Sequence, residues 1–266
     1  RGAVALASLT KVAIEHDALP DPGKTTGRKL FIREDGTTDG SLGSTSLDRD
    51  AKKRALQLMA HGRNEYVTNE HGTEYFVEAY TTPPQLVICG GGHVAKAIAA
   101  LAKPLEFRLF ITDDREEFAN KERFPEADIV IPEKPESALP KLPINPNTFI
   151  VVATRGHRYD NSALLAAANT PARYVGLMGS KRKTILIYED LVRIGLDIDR
   201  LREIRSPIGL DIRARTPEEI AVSIVSEILM FRLGGTGMPM KLEEKQLLRI
   251  INKVAEESDS PAISVG

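Results

Sequence analysis

The stretch QLVICGGGHVAKAIAALAK, residues 85–103, decides the fold. A short apolar run ends in three glycines, Gly90, Gly91 and Gly92, and an Ala-rich helical pattern opens directly behind them. Gly90-Gly91-Gly92-His93-Val94-Ala95 fits G-x-G-x-x-A. In that pattern the first glycine permits a tight turn, the second lets the backbone approach a pyrophosphate, and the small last residue allows close helix–strand packing. The phosphate would rest on the free N–H groups at the start of the helix. His93 stands where such turns carry a plain residue. The next apolar run, Phe107–Thr112, ends in Asp113-Asp114. Asp113 is placed to accept ribose hydroxyls, with Arg115 nearby for a 2′-phosphate; alternatively, Asp113 or Asp114 caps a short helix over Glu116–Ala119.

Outward from this turn the rhythm is strand then helix. Apolar runs at Leu86–Cys89, Phe107–Thr112, Asp128–Ile131, Thr148–Ala153 and Tyr174–Met178 are continuous, as in parallel strands covered on both faces. Helical patterns span His93–Lys103, Asn161–Asn169 and Lys181–Arg193. The fold class is therefore α/β, a Rossmann-like doubly wound parallel sheet. A further helix over 217–232 has Thr216 at its cap, Pro217 first and Glu219 completing a capping box, and Gly234 follows it. Residues 241–256 predict one more amphipathic helix, with a loose tail behind.

Upstream, Thr81-Thr82-Pro83-Pro84 breaks the pattern, because two prolines force extended backbone and remove donors. Residues 1–82 read as a small α+β domain. Its hairpins turn at Glu34-Asp35-Gly36 and at Asn69-Glu70-His71-Gly72, and a helix from Leu47 to Ala60 has Ser46 as its cap. The expected plan is 1–82, 83–237 and 238–266.

Two more loops follow predicted strands, where ligands of such sheets bind. Thr154-Arg155-Gly156-His157-Arg158-Tyr159-Asp160 offers His157 as phosphate donor, proton carrier or metal ligand; alternatively Asp160 caps the next helix and His157 bonds locally. Gly179-Ser180-Lys181-Arg182-Lys183 sets cations against a helix dipole, as where an anion compensates, or is a solvated basic face. Ser206–Asp211, leading to Arg215-Thr216-Pro217, reads as a structural loop.

A net charge of -1 gives no overall field to recruit nucleic acid or an anionic membrane. No apolar run is long enough to span a bilayer. The opening RGAVALASLTKVA has no convincing cleavage site, so no signal peptide is expected. Because the chain starts at Arg1 rather than Met, further residues are expected upstream. The single cysteine, Cys89, fits a reducing cytoplasm and sits where a buried thiol is expected. With no second Cys and no His-x-x-x-His, no protein-ligated metal site is expected. His16, His61 and His71 have no triad partners in the pattern.

CGGGHVAKAIAALA, FITDDREEFAN, VVATRGHRYDNSALLAAA, YVGLMGSKRK and SPIGLDIRARTPEEIAVSIVSEI, in this order, resemble the xanthine dehydrogenase accessory factor family (XdhC/CoxI type). The resemblance is dense over about residues 84–232. It implies a chaperone that binds molybdenum cofactor, as molybdopterin or its dinucleotide, assists its sulfuration with a cysteine desulfurase and delivers it to an apo molybdenum hydroxylase. His93 matches the family's histidine behind the glycines and His157 its T-x-G-H segment, where Arg155 replaces a second histidine. On this reading Gly90–His93, Asp113, Asp114, Thr154–His157 and Gly179–Lys181 line the cofactor site. The first domain departs from the family's G-S-I-S-G-G-C-x-E-like stretch: Gly40–Asp48 reads GSLGSTSLD, with no cysteine. A hydroxyl is neither a soft ligand nor a sulfur carrier, which puts thiol chemistry by this chain in doubt.

Two other functions compete: an NAD-dependent oxidoreductase, with Asp113 on the ribose and His157 as proton donor, and a nucleotide-sensing interaction protein. The pattern supplies no separate substrate-orienting domain for the first of these. A homodimer is expected, since hairpins offer sheet edges that need covering.

Overall fold

The computed structural model describes residues 3–12, 26–59 and 62–259, without the side chains of 157, 158 and 255–259. His16 and His61 lie outside the described residues. The chain forms two compact units, 1–235 and 236–266. The expected boundary at 82/83 thus separates two sheets within one unit, and the break between units falls two residues ahead of the expected one.

The first sheet contains β1 (Val4–Lys11), β2 (Lys29–Arg33), β3 (Thr38–Gly40), β4 (Glu65–Thr68) and β5 (Glu74–Tyr80), ordered β3-β2-β1-β5-β4 and antiparallel throughout. Both predicted hairpins form. Helix α1 (Thr45–Met59) buries Leu47, Ala51, Ala55 and Met59, one face at a spacing of four, in a core shared with Ala5, Ala7, Ile32, Tyr75 and Val77. Its cap is Ser44, not Ser46: Ser44 Oγ accepts from the Leu47 N–H at 3.3 Å. β1, the central strand, has no counterpart in the sequence reading. Its inward positions Ala5 and Ala7 contrast too weakly with Val4 and Leu6 to show a period of two, and only neighbours on both sides make an Ala-rich segment central.

The second sheet contains β6 (Gln85–Cys89), β7 (Arg108–Thr112), β8 (Ile129–Ile131), β9 (Thr148–Val152) and β10 (Tyr174–Leu177), all parallel, ordered β10-β9-β6-β7-β8. Arg205–Ile208 extends the β10 edge, with Arg205 N–H donating to the Val175 carbonyl and Ile208 N–H to that of Leu177. Counted from β6, the strand order reverses between β6 and β9, the switch point at which ligands of doubly wound sheets bind.

Successive residues of a strand point to opposite faces, so β9 feeds two cores. Phe149 and Val151 pack under α2 (His93–Ala102) and α7 (Pro217–Leu233), with Ile98, Ala99, Ile224 and Ile228. Ile150 and Val152 pack with residues of α4 (His157–Ala168) and α5 (Lys181–Arg193), among them Leu164, Ala167, Ile187 and Leu191. The short α3 (Pro135–Ala138) and α6 (Ile198–Glu203) were not predicted; Asp197 caps α6 by accepting from the Asp199 and Arg200 N–H groups. The capping box of α7 forms as predicted, and Gly234 ends that helix at φ 72°. The second unit contains α8 (Glu244–Asp259). Among the described residues, no helix is long and apolar enough to cross a membrane.

Ahead of α7, Arg213 holds φ 56°, left-handed backbone that costs a side chain about 1–2 kcal/mol. Arg213→Gly removes that cost but loosens the unfolded chain by about 0.4–1 kcal/mol. A net gain of roughly 0.5 kcal/mol is expected, read as a higher midpoint in urea at unchanged slope.

Candidate functional site at the switch point

The turn behind β6 is held by its own backbone. Gly90 N–H donates to the Thr112 carbonyl (2.7 Å), and Gly90 lies against Ala153. Gly91 N–H donates to Asp113 Oδ2 (2.9 Å), and Arg123 Nε donates to the Gly91 carbonyl (2.8 Å). Gly92 then caps α2 with extended backbone and no side-chain hydrogen bond, so among the described residues the leading N–H groups of α2 have no side-chain acceptor.

Asp113 is 5% exposed and is held by the turn it faces. Besides Gly91, it accepts from Arg115 Nε (2.9 Å), Arg115 Nη2 (2.9 Å) and the Arg115 N–H (3.1 Å). Burial alone would push its carboxyl up; the guanidinium and backbone N–H groups outweigh that and hold its pKa below the ordinary value. Arg115 in turn stacks on Phe118, 3.7 Å from the ring centroid. Neither Asp113 nor Asp114 caps the 3-10 turn Glu116–Phe118, whose cap position is Arg115. Asp113 thus fastens the glycine turn to the next loop, a role that spacing alone does not reveal.

Behind β9, α4 starts at His157, four residues earlier than predicted, with Gly156 at its cap and no side-chain hydrogen bond there. Asp160 is therefore inside the first turn and is not the cap. It is fully buried, accepts from Thr154 Oγ1 (2.6 Å) and pairs with Lys183 Nζ of α5. Ser180 caps α5 by accepting from the Lys183 N–H. Lys183 is thus a structural cation of the Gly179–Lys183 segment, while Lys181 and Arg182 face solvent. The side chain of His157 lies outside the described residues.

Arg155 closes the crevice between the β7 and β9 loops. Its Nη2 donates to Asp114 Oδ2 (2.9 Å) and to Tyr159 Oη (2.8 Å), with the guanidinium over the Tyr159 ring. The space enclosed by Gly90, Asp114, Lys134, Thr154 and Arg155 is about 20 Å³, close to one water. A larger ligand must lie above this pair or open it.

His93, first in α2, is exposed and reaches the other way. It lines a cleft of about 400 Å³ between α2 and α7, which sequence reasoning missed because the two helices are over a hundred residues apart. Cys89 is fully buried, and burial, the main cause, pushes its thiol up to about 12. It is no nucleophile at neutral pH, and native protein should not react with a thiol reagent until denatured. Taking the unfolded pKa as 9.0, stability linked to this thiol is full below pH 9.0 and falls as pH rises towards 12. A Cys89→Ala variant compared over that range checks the sign.

The strand order and the glycine turn define a Rossmann domain. Residues 86–228 match the XdhC Rossmann domain and residues 19–69 the XdhC and CoxI family; the chain belongs to the XdhC family. It is 30% identical over 224 residues to YqeB of Escherichia coli (strain K12), covering 79% of this chain and 41% of that protein. It is 32% identical over 160 residues to a protein of Bacillus subtilis (strain 168) described as a probable subunit of xanthine dehydrogenase, covering 60% of this chain and 46% of that one. The chain thus spans less than half the length of these relatives. A xanthine dehydrogenase from Bacillus halodurans has the same fold, with a TM-score of 0.53 at 20% identity over 90% of this chain and 94% of that one.

Proposed function

We propose that this chain is an accessory factor of a xanthine dehydrogenase-type molybdenum hydroxylase, one that binds molybdenum cofactor and passes it to the apo-enzyme. The observation that carries this reading is the pair of helices flanking the switch point. Both α2 and α4 begin at a glycine, Gly92 and Gly156, and neither has a side-chain cap. Positive helix ends whose cap residues supply no side-chain acceptor suit a phosphorylated cargo, and the Asp160 carboxylate in the first turn of α4 is paired with Lys183. An added Cβ at Gly92 or at Gly156 would meet no atom within 4 Å, so a phosphate can approach the backbone at both.

Molybdopterin, alone or as its dinucleotide, is cargo here: it supplies the metal and dithiolene chemistry to the client enzyme. This chain's part is to hold the phosphate on the Gly92–His93 and Gly156–His157 N–H groups. Its own sulfur chemistry does not fit. Cys89 is buried, and Ser44 and Ser46, in the stretch where the family carries cysteine, bond to each other at 3.0 Å beside the start of α1. Sulfuration on this reading belongs to a partner, a cysteine desulfurase.

The NAD alternative is weaker, because the ribose-facing carboxylate Asp113 already accepts four bonds from Gly91 and Arg115. Equilibrium binding of molybdopterin, NAD and NADP to the purified chain tests both readings. Molybdopterin is expected to bind most tightly; tight NAD binding with hydride transfer to a small substrate would overturn the proposal. His93→Ala should weaken molybdopterin binding with the melting temperature unchanged, since the His93 side chain is exposed and makes no hydrogen bond among the described residues.

A further inference from the structure

The cleft between α2 and α7 is a second feature of the same end of the domain. The cleft runs along α2 from His93 to Leu101 and faces the first turns of α7 at Pro217, Glu218 and Val222. Ala97, Ala100 and Leu101 of α2 and Pro217 and Val222 of α7 give it apolar walls, and the two alanines leave it open where larger side chains would fill it. The polar groups around it are His93, Lys96 and the Glu218 carboxylate. None of these three side chains has a hydrogen bond or ion pair among the described residues. A concave apolar site of some hundreds of Å³ with a few convergent polar groups is the usual form of a small-molecule site.

We infer that this cleft holds a planar heteroaromatic ring with a 2-amino-4-oxo edge, the edge shared by guanine and pterins. Small methyl-lined walls accept the faces of a flat ring. Glu218, when ionised, only accepts, so it selects an edge with adjacent N–H donors over one that presents an acceptor. Lys96, one turn behind the uncapped start of α2, supplies a cation for an anionic tail. The inference deepens the cofactor reading and rests on it for the tail: His93 joins the two, its backbone at the anion-facing helix start and its side chain in the cleft. It assigns Glu218, Lys96 and Ala100 a role that neither the glycine motif nor the loops indicate.

Calorimetric titration of the full chain with GMP, AMP and inorganic pyrophosphate tests it. GMP is expected to bind at least ten-fold more tightly than AMP. Glu218→Gln should bring GMP to the level of AMP, because an amide presents a donor as well as an acceptor. Ala100→Trp fills the cleft from an exposed position; it should remove the preference for GMP while pyrophosphate affinity and melting temperature stay unchanged. Equal binding of GMP and AMP by the parent chain, or a preference that survives Ala100→Trp, overturns the ring site. If pyrophosphate binds in that case, the phosphate reading stands without it. Preference for GMP with no binding of pyrophosphate sinks the phosphate reading and keeps the ring site, and no binding of any probe overturns both.

Discussion

Gly91→Ala is expected to destabilise the protein by about 3 kcal/mol or more, whereas Gly92→Ala, one residue on, should cost only about 1 kcal/mol, the cost of alanine at a helix N-cap. The two glycines look alike in the sequence and have different surroundings. A Cβ at Gly91 would lie 1.9 Å from the Phe118 carbonyl oxygen, and backbone cannot yield as a flexible side-chain end can. Gly90 behaves like Gly91: at φ 113° its Cβ would lie 2.3 Å from the Ala153 carbonyl oxygen. A Cβ at Gly92 meets nothing within 4 Å, and its φ of −68° suits any residue. Its methyl group would instead stand where a phosphate approaches the start of α2. Gly92→Ala should therefore lower affinity for phosphorylated ligand at least ten-fold in protein that remains fully folded. Denaturant unfolding of all three variants, with pyrophosphate titration of those that fold, checks the division. A Gly92→Ala protein that binds pyrophosphate normally would remove the α2 start from the site.

Asp160→Ala should cost about 3–5 kcal/mol, the range for removing one partner of a buried ion pair. The carboxylate is fully buried, and its loss deprives Lys183 of its ion-pair partner and Thr154 Oγ1 of its acceptor at once. Lys183 keeps 28% of its side chain exposed and can turn towards water, which places the expected loss at the lower end of that range. The double variant Asp160→Ala with Lys183→Met should recover part of it, since no unpaired cation remains. Urea midpoints of the two singles and the double give the coupling. If Asp160→Ala proved neutral, the α4–α5 link would not be part of what holds the β9 and β10 loops together.

What was legible in the sequence follows from local rules. The five parallel strands announce themselves as apolar runs because both faces are covered, and the hairpins because Asp-Gly and His-Gly turns carry their own backbone geometry. The capping box of α7 is set by Thr216, Pro217 and Glu219 without help from the rest of the chain. β1 escaped because alanine is small enough to be buried or exposed alike, so its place depends on β2 and β5. The start of α4 was set too late because Gly156 and His157 are poor start signals, while Asp160 is a strong one. Here the carboxylate has a tertiary partner, and Lys183 outweighs the preference for a cap.

The candidate site divides along the same line. A glycine turn, a T-x-G-H loop and a basic turn behind three strands of a doubly wound sheet were legible from the sequence, since each is a contiguous signal of fixed local geometry. Only the tertiary structure decided which groups remain available to a ligand. It ties Asp113 to Arg115 and Gly91, Arg155 to Asp114, and Lys183 to Asp160. It leaves the starts of α2 and α4 without side-chain cap hydrogen bonds and opens a cleft between helices that are far apart in the chain. The physical reason is that charge and hydrogen-bonding capacity are read from a residue's identity, whereas whether they are already satisfied depends on partners that distant segments bring into reach.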